Sequence, residues 1–291
     1  MKKLFVIIST ILFLGVSQFG MAQKKNNTSK PPLDGVYEKK GVVNREPIPY
    51  PSLREADVYW SKRIWRVIDL RQKINLPFYY PVTELKGRKS LIQIIFNGLK
   101  ENQISAYHPL DDEFGTVLTY DDFIRSTTKI GDSIDVLDSI TGDPTGQKKA
   151  NVKEFDPTEV MQFRVKEDWF FDKQRSVMDV RILGLMPVIN EPKLDANGEV
   201  IDNGYKALFW VYFPECRNLF AKNEVYNRWN DAERRSFDDI FWKRLFGSYI
   251  TKESNVYDRN IQSYAKDMDG LLEAERIKDD LFKFEHNLWE Y

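Results

Sequence analysis

A chain of 291 residues with 43 basic and 44 acidic side chains is close to neutral, at a net charge of −1, and carries no electrostatic footprint for nucleic acid or an anionic lipid surface. Its composition, 42% apolar and 14% aromatic, is that of a packed core and not of a disordered chain. The one cysteine, Cys216, rules out an internal disulfide and is expected to be buried, not paired between chains. The two histidines, His108 and His286, offer little material for a zinc site or a Cys–His pair.

The amino terminus has the layout of a cleavable secretory signal over residues 1–22. Lys2 and Lys3 precede an apolar run at 4–16, and Gly20 and Ala22 place small residues before Gln23. That run is too short for a bilayer, which needs roughly 20 residues, so a retained anchor is the lesser alternative. No cysteine lies near the cut, which excludes a lipid-modified terminus. The mature chain is expected to be soluble. Residues 23–51 then read as a Pro-rich arm or linker. Pro47, Pro49 and Pro51 recur at every second position around Ile48 and Tyr50, so the segment is predicted to be extended and outside any central strand. It serves as a plain linker or as an arm across a neighbouring subunit.

A helix is predicted from Ser52, whose spacing to Glu55 is that of a capping box. At 100° per residue Trp60, Ile64, Val67 and Ile68 share one face, and Trp65 falls outside it with Ser61, Lys62 and Asp69. A tryptophan off the main stripe, framed by Lys62 and Arg66, marks a second packing surface. Pro47, Pro49, Tyr50, Pro51, Lys62, Trp65 and Arg66 are therefore the candidate partner contacts. The alternative is that the chain's own sheet or last helix covers Trp65. Ser90 is predicted to cap a helix over 91–102, and a short helix is expected at 120–127. Residues 131–146, acidic and glycine-bearing, read as a solvated loop, since the Asp-x-Asp-x-Asp-Gly spacing of a calcium loop is absent.

The period then changes. Met161, Phe163, Val165, Trp169 and Phe171 alternate with polar residues in a strand interrupted only at Glu167. Further strands are predicted over 177–189 and 205–213, with turn signals at Asn197-Gly198 and Asn203-Gly204. The stretch 206–213 is apolar on both faces, as in a central covered strand. Helix returns over 231–249, and Ala274, Ile277, Leu281, Phe284 and Leu288 step by three and four along a final helix. That seam lasts two heptads, so core packing is the default reading and a helix contact between subunits the alternative. The fold class expected is α+β, with helices at both ends flanking a central, mainly antiparallel β-sheet in a single domain over 52–291.

No metal or cofactor motif and no catalytic site is found. Composition leaves only carboxylate chemistry open, and the cluster Asp111, Asp112 and Glu113 reads better as a solvated loop.

Three stretches carry a family resemblance: Arg63-Ile64-Trp65-Arg66-Val67-Ile68-Asp69-Leu70-Arg71-Gln72-Lys73-Ile74-Asn75-Leu76-Pro77, Leu208-Phe209-Trp210-Val211-Tyr212-Phe213-Pro214-Glu215-Cys216-Arg217, and Asp238-Asp239-Ile240-Phe241-Trp242-Lys243-Arg244. With the export signal and the length, they resemble the GldN family of gliding-motility proteins, called PorN in non-gliding relatives, over essentially the whole mature chain. The resemblance implies a non-enzymatic periplasmic subunit of the type IX secretion system of the Bacteroidetes. Such a subunit assembles with an outer-membrane lipoprotein, GldK or PorK, into a ring at the inner face of the outer membrane. It also contacts the inner-membrane motor protein GldM or PorM, with no cofactor, no nucleic acid and no direct membrane insertion. The competing class is a periplasmic carbohydrate-active enzyme or carbohydrate-binding module, with aromatics as sugar platforms. The fallback is an exported α+β domain of unspecified role.

Overall fold

The computed structural model describes residues 36, 44–137, 144–153, 155–191, 193–194, 200–202 and 204–288. The chain divides into two units, Met1–Lys40 and Gly41–Tyr291, and every described element belongs to the second. The signal segment and most of the 23–51 arm lie outside the described residues, as do Asn197, Gly198 and Asn203 of the two predicted turns.

In chain order the elements are β1 (Val58–Asp69), α1 (Leu76–Tyr79), α2 (Leu91–Lys100), β2 (Ala106–Tyr107), β3 (Val117–Leu118), α3 (Tyr120–Thr127), β4 (Lys129–Leu137) and β5 (Pro144–Lys153). The long strands β6 (Val160–Asp172) and β7 (Val177–Asn190) follow, then β8 (Lys193–Leu194), β9 (Val200–Asp202), β10 (Tyr205–Ala207) and β11 (Trp210–Tyr212). The chain closes with α4 (Phe213–Lys222), β12 (Glu224–Val225), β13 (Arg235–Ser236), α5 (Phe237–Trp242), β14 (Tyr249–Glu253) and α6 (Asp267–Asn287). The main sheet runs β14-β1-β6-β7-β11-β2-β3, with β10 also on β7, and its pairings are antiparallel. The fold is α+β.

Residues 52–73 form no helix. A 3-10 turn at Glu55–Asp57, without a side-chain cap, leads into β1, which pairs with β14 on one side and β6 on the other. The reason lies in burial. Arg66, Val67 and Ile68 are all buried and Trp65 is half-buried, so the strand is covered on both faces and shows no polar–apolar alternation. The helical stripe at Trp60, Ile64, Val67 and Ile68 was a coincidence of spacing.

β6 and β7 cover the two predicted strands, but β6 has no single buried face, since Gln162, Lys166 and Glu167 are buried along with Phe163 and Val165. The register of their pairing shifts between Lys166 and Glu167, the position at which the sequence pattern breaks. Ser90 caps α2 with a full capping box, its hydroxyl accepting from the Gln93 amide while Gln93 reaches back. The 131–146 segment is not a loop: its described parts belong to a β4–β5 hairpin that sets Asp135 opposite Lys148 and Ile134 opposite Lys149, an acidic strand paired with a basic one. The predicted 205–213 strand is split into β10 and β11. Phe213 already starts α4, where Pro214 supplies a helix-compatible φ. Leu208, Phe209, Trp210 and Val211 are nonetheless buried, and β11 sits between β7 and β2.

Helix over 231–249 is also corrected, since only α5 is helical there. Ser236 and Asp239 form its capping box. Its end is a Schellman motif: the Leu245 amide donates to the Ile240 carbonyl and the Arg244 amide to that of Phe241, with Arg244 at φ 53°. An arginine holds the position glycine usually takes, and its side chain has a use described below.

Two cores result. The larger joins the sheet to α2, α4 and α5 through Phe163, Val165, Leu185 and an aromatic group in which Phe241 lies 5.2 Å from Phe213, 5.3 Å from Phe78 and 5.8 Å from Phe220. Such ring pairs contribute about 0.5–1.5 kcal/mol each beyond burial. The smaller packs α6 on β1 and β14 through Ile64, Ile250, Ala274, Ile277 and Leu281, with Phe284 stacked on Trp60 at 4.6 Å. The heptad seam is thus core packing along its length from Ala274 to Phe284.

Candidate interaction surface

Because β1 is a strand, neighbouring side chains alternate between faces. Arg66 points to the α6 side with Ile64, and Trp65 points to the opposite side with Arg63, so Lys62 and Arg66 do not frame Trp65.

On its own face Trp65 sits opposite Lys166 of β6 and Lys252 of β14. The Lys252 ammonium lies 4.4 Å from the ring centroid, and it is paired with Asp258 at 2.6 Å. The indole Nε1 donates to Asp112 Oδ2 at 3.1 Å. Lys166, only 2% exposed, donates to the Asp112 carbonyl and has its ammonium 5.3 Å from the Phe114 ring centroid. Burial pulls the Lys166 pKa down, and the Asp112 carboxylate opposes that shift. The loop 108–116 is therefore clamped onto this face. Phe114 lies over Gly184, where a Cβ would come within 2.7 Å of its Cζ. Next to this network Arg63 makes a two-pronged pair with Asp168 at 2.7 and 3.1 Å.

On the α6 side, Glu167 is fully buried and accepts from Arg66 Nε at 3.1 Å, from Arg244 Nη2 at 2.9 Å and from Trp169 Nε1 at 3.1 Å. Burial lowers the Arg66 pKa, with Glu167 acting against it. Lys62 pairs with Glu253 at 2.6 Å. The left-handed backbone at Arg244 is what lets one guanidinium leave the end of α5 and reach this carboxylate.

The described end of the arm lies against its own domain. Tyr50 stacks on Trp242 at 5.5 Å and lies 4.3 Å from the Arg217 guanidinium carbon, while Arg217 itself pairs with buried Asp238 at 2.9 and 3.1 Å. Arg181 donates to the Pro51 carbonyl at 2.6 Å, and Arg45 pairs with Asp239. Burial raises the Tyr50 pKa, against the nearby arginines. Pro47 and Pro51 are half-buried, while Ile48 and Pro49 face outward.

The groups capable of chemistry do structural work. Asp111 accepts from the Thr116 and Glu113 amides at 2.7 and 3.1 Å, which holds its pKa below the ordinary carboxylate value. His108 Nδ1 accepts from the Leu110 amide at 3.3 Å. Cys216 is fully buried. Among the described residues no cluster of three His, Cys, Asp or Glu side chains could hold a metal ion, and no helix is long and apolar enough to cross a membrane. Sequence reasoning missed Asp112, Lys166, Arg217 and Arg244, whose partners lie far away in the chain. Only Glu167 left a trace, as the break in an alternating strand.

Together these features define an α+β scaffold in which charged side chains tie strands, loop and arm to one another. A family model described as "Gliding motility associated protein GldN" matches residues 53–290, and the chain belongs to this family. No curated protein matches the chain. The matched region starts just after Pro51, so the 47–51 arm precedes it.

Proposed function

We propose that this chain is a non-enzymatic, periplasmic structural subunit of the type IX secretion and gliding-motility machinery. It is held at the inner face of the outer membrane by a lipoprotein of the GldK/PorK kind, with which it builds a ring, and it contacts a motor protein of the GldM/PorM kind. The observation that carries this reading is the GldN match across the folded domain. It is supported by the engagement of Asp111, Asp112 and Glu167 in holding loop and strands, and by an amino terminus with the pattern of an export signal. The proposed partner contacts are the outward side of the 47–51 arm and, on β1, Trp65 on one face and Lys62 on the other. Tyr50 and Pro51 hold the arm against the domain, and Arg66 lies buried against Glu167 on the Lys62 face. Tryptophan and arginine concentrate binding energy at interfaces, at about 2 kcal/mol or more on truncation.

Sizing chromatography of the mature chain with and without the purified lipoprotein tests the role. Co-elution in a high-mass assembly is expected. Separate elution of the two proteins at physiological salt would overturn it.

A further inference from the structure

Away from Trp65 and the arm, the surface between α1 and residues 226–229 holds a groove of about 570 Å³ floored by Pro77, Tyr80, Pro81, Leu85 and Tyr226. A second depression of about 450 Å³ continues it past Ile74, Trp229 and Leu245, sharing Lys73, Pro77, Tyr226 and Arg228. These apolar side chains are open to solvent: Leu85 is 59% exposed, Ile74 57%, Tyr226 50% and Trp229 81%. So dense a group is unusual on the surface of a monomer and marks a binding site. Local structure holds it open. Lys86 and Gly87, at φ 52° and 76°, make a two-residue turn closed by Leu85–Arg88 backbone bonds, which sets Leu85 and Arg88 side by side at the groove.

Charge identifies the occupant. Lys73, Arg88 and Arg228 line the groove, no carboxylate lines either depression, and none of the three cations has an ion-pair partner among the described residues. Elsewhere Arg71 pairs with Asp69 and Arg276 with Glu273, and Arg235, at the second depression, is answered by Glu233. Here the guanidinium carbons of Arg88 and Arg228 lie instead 5.4 Å from the Tyr226 ring centroid and 5.0 Å from that of Trp229. A concave apolar site with unanswered positive charge complements an apolar side chain next to carboxylates. We infer that this groove docks a peptide segment of a partner protein in which large apolar side chains are flanked by Asp or Glu. The inference rests on the assembly role and adds to it a second contact surface, distinct from Trp65 and the arm. Concavity favours a peptide over a lipid surface, which would need protruding side chains.

The test uses the purified mature chain and two labelled peptides, one alternating Phe and Leu with Asp and Glu, the other with Lys at every acidic position. Fluorescence anisotropy should show binding of the acidic peptide only. Arg88→Glu combined with Arg228→Glu should weaken it about tenfold or more and transfer preference to the lysine peptide. Arg276→Gln, a cation on α6 with its own partners, should leave it unchanged, and circular dichroism confirms that each variant is folded. Arg228→Gln, the milder change, should weaken binding in the same direction. Equal binding of both peptides, or of neither, would overturn the inference. So would binding of phosphatidylglycerol vesicles that the acidic peptide fails to displace, or self-association abolished by the same substitutions. Failure here with lipoprotein co-elution intact removes the groove and leaves the assembly role standing.

Discussion

Trp65 Nε1 donates to Asp112 Oδ2 across 3.1 Å, joining an inner strand of the sheet to a loop 47 residues further along the chain. The bond closes the loop 108–116 over the face that β1 shares with Lys166 and Gly184. Trp65→Phe keeps a ring and deletes the donor, so it should destabilise the chain by about 1 kcal/mol. A double-mutant cycle with Asp112→Ala should give a coupling of about 0.5–1.5 kcal/mol by urea denaturation. Strict additivity of the two changes would mean the bond does not form in solution. Trp65→Ala removes the proposed contact as well and should weaken co-purification with the lipoprotein.

Glu167 holds Arg66 and Arg244 together under α6. Glu167→Gln leaves two guanidinium groups around a neutral amide in a buried site. A loss of about 3–5 kcal/mol is expected, with the protein barely folded at 37 °C. Arg244→Gly should cost less, because glycine relieves the left-handed backbone by about 1 kcal/mol while the pair is lost. The order of the two urea midpoints checks this, and a reversed order would remove Glu167 as the centre of the cluster.

Gly184 has no room for a side chain: a Cβ there would lie 2.7 Å from Phe114 Cζ and 3.1 Å from Trp210 Cε3. Trp210 is buried and cannot move, whereas Phe114 sits on the loop and can. Gly184→Ala should therefore lift the loop, with a stability loss of about 1–3 kcal/mol and faster protease cleavage within 108–116. Phe114→Leu in the same chain should recover part of the stability. Unchanged proteolysis in Gly184→Ala would show that the loop does not rest on this face.

Asp172 closes the β6–β7 turn. Its carboxylate accepts from Arg175 Nε at 2.7 Å and from the Gln174 amide at 2.8 Å, and the Arg175 hydrogen bond is the main reason its pKa is lowered. A carboxyl lowered on folding adds stability that is fully present above its unfolded value, near 3.9, and is lost as pH falls through the folded value. The melting-temperature gap between the parent and Asp172→Asn should be widest at neutral pH and close below about pH 4. A gap independent of pH would mean that the charge is not involved.

Cys216 is fully buried, and that burial pushes its thiol pKa far above the ordinary range. A maleimide should leave the native chain unmodified and label it fully in denaturant, as mass spectrometry would read. Rapid labelling of the native protein would place the thiol at the surface.

What could be read from the sequence was short-range. Ser90 announces α2 because a cap is local; the structure adds Gln93 as its reciprocal partner and Thr119 as the cap of α3, its side chain accepting from the Asp122 amide. β6 was legible from the alternation of Met161, Phe163, Val165, Trp169 and Phe171, and β7 from a long apolar stretch without alternation. The burial of Cys216 and the seam of α6 were equally plain.

The rest depended on partners distant in the chain. β1 looked helical because α6 covers one of its faces and the loop 108–116 the other, while β14 and β6 pair its edges, and a strand so covered has no alternation to detect. The acidic stretch from Gly131 looked like a loop because its basic partner strand arrives only at 144–153. Sequence by itself determined the α+β class, the family and the helices α2 and α3, whereas the Ser52–Glu55 pattern pointed to a helix where β1 forms. Tertiary structure alone decided that Trp65 and Arg66 face opposite ways, that Tyr50 lies beside Arg217, and that Arg244 reaches Glu167. The physical reason is that capping and alternation act between near neighbours, whereas the side of a sheet a residue occupies, and the charge it meets there, follow from pairing across long stretches of chain.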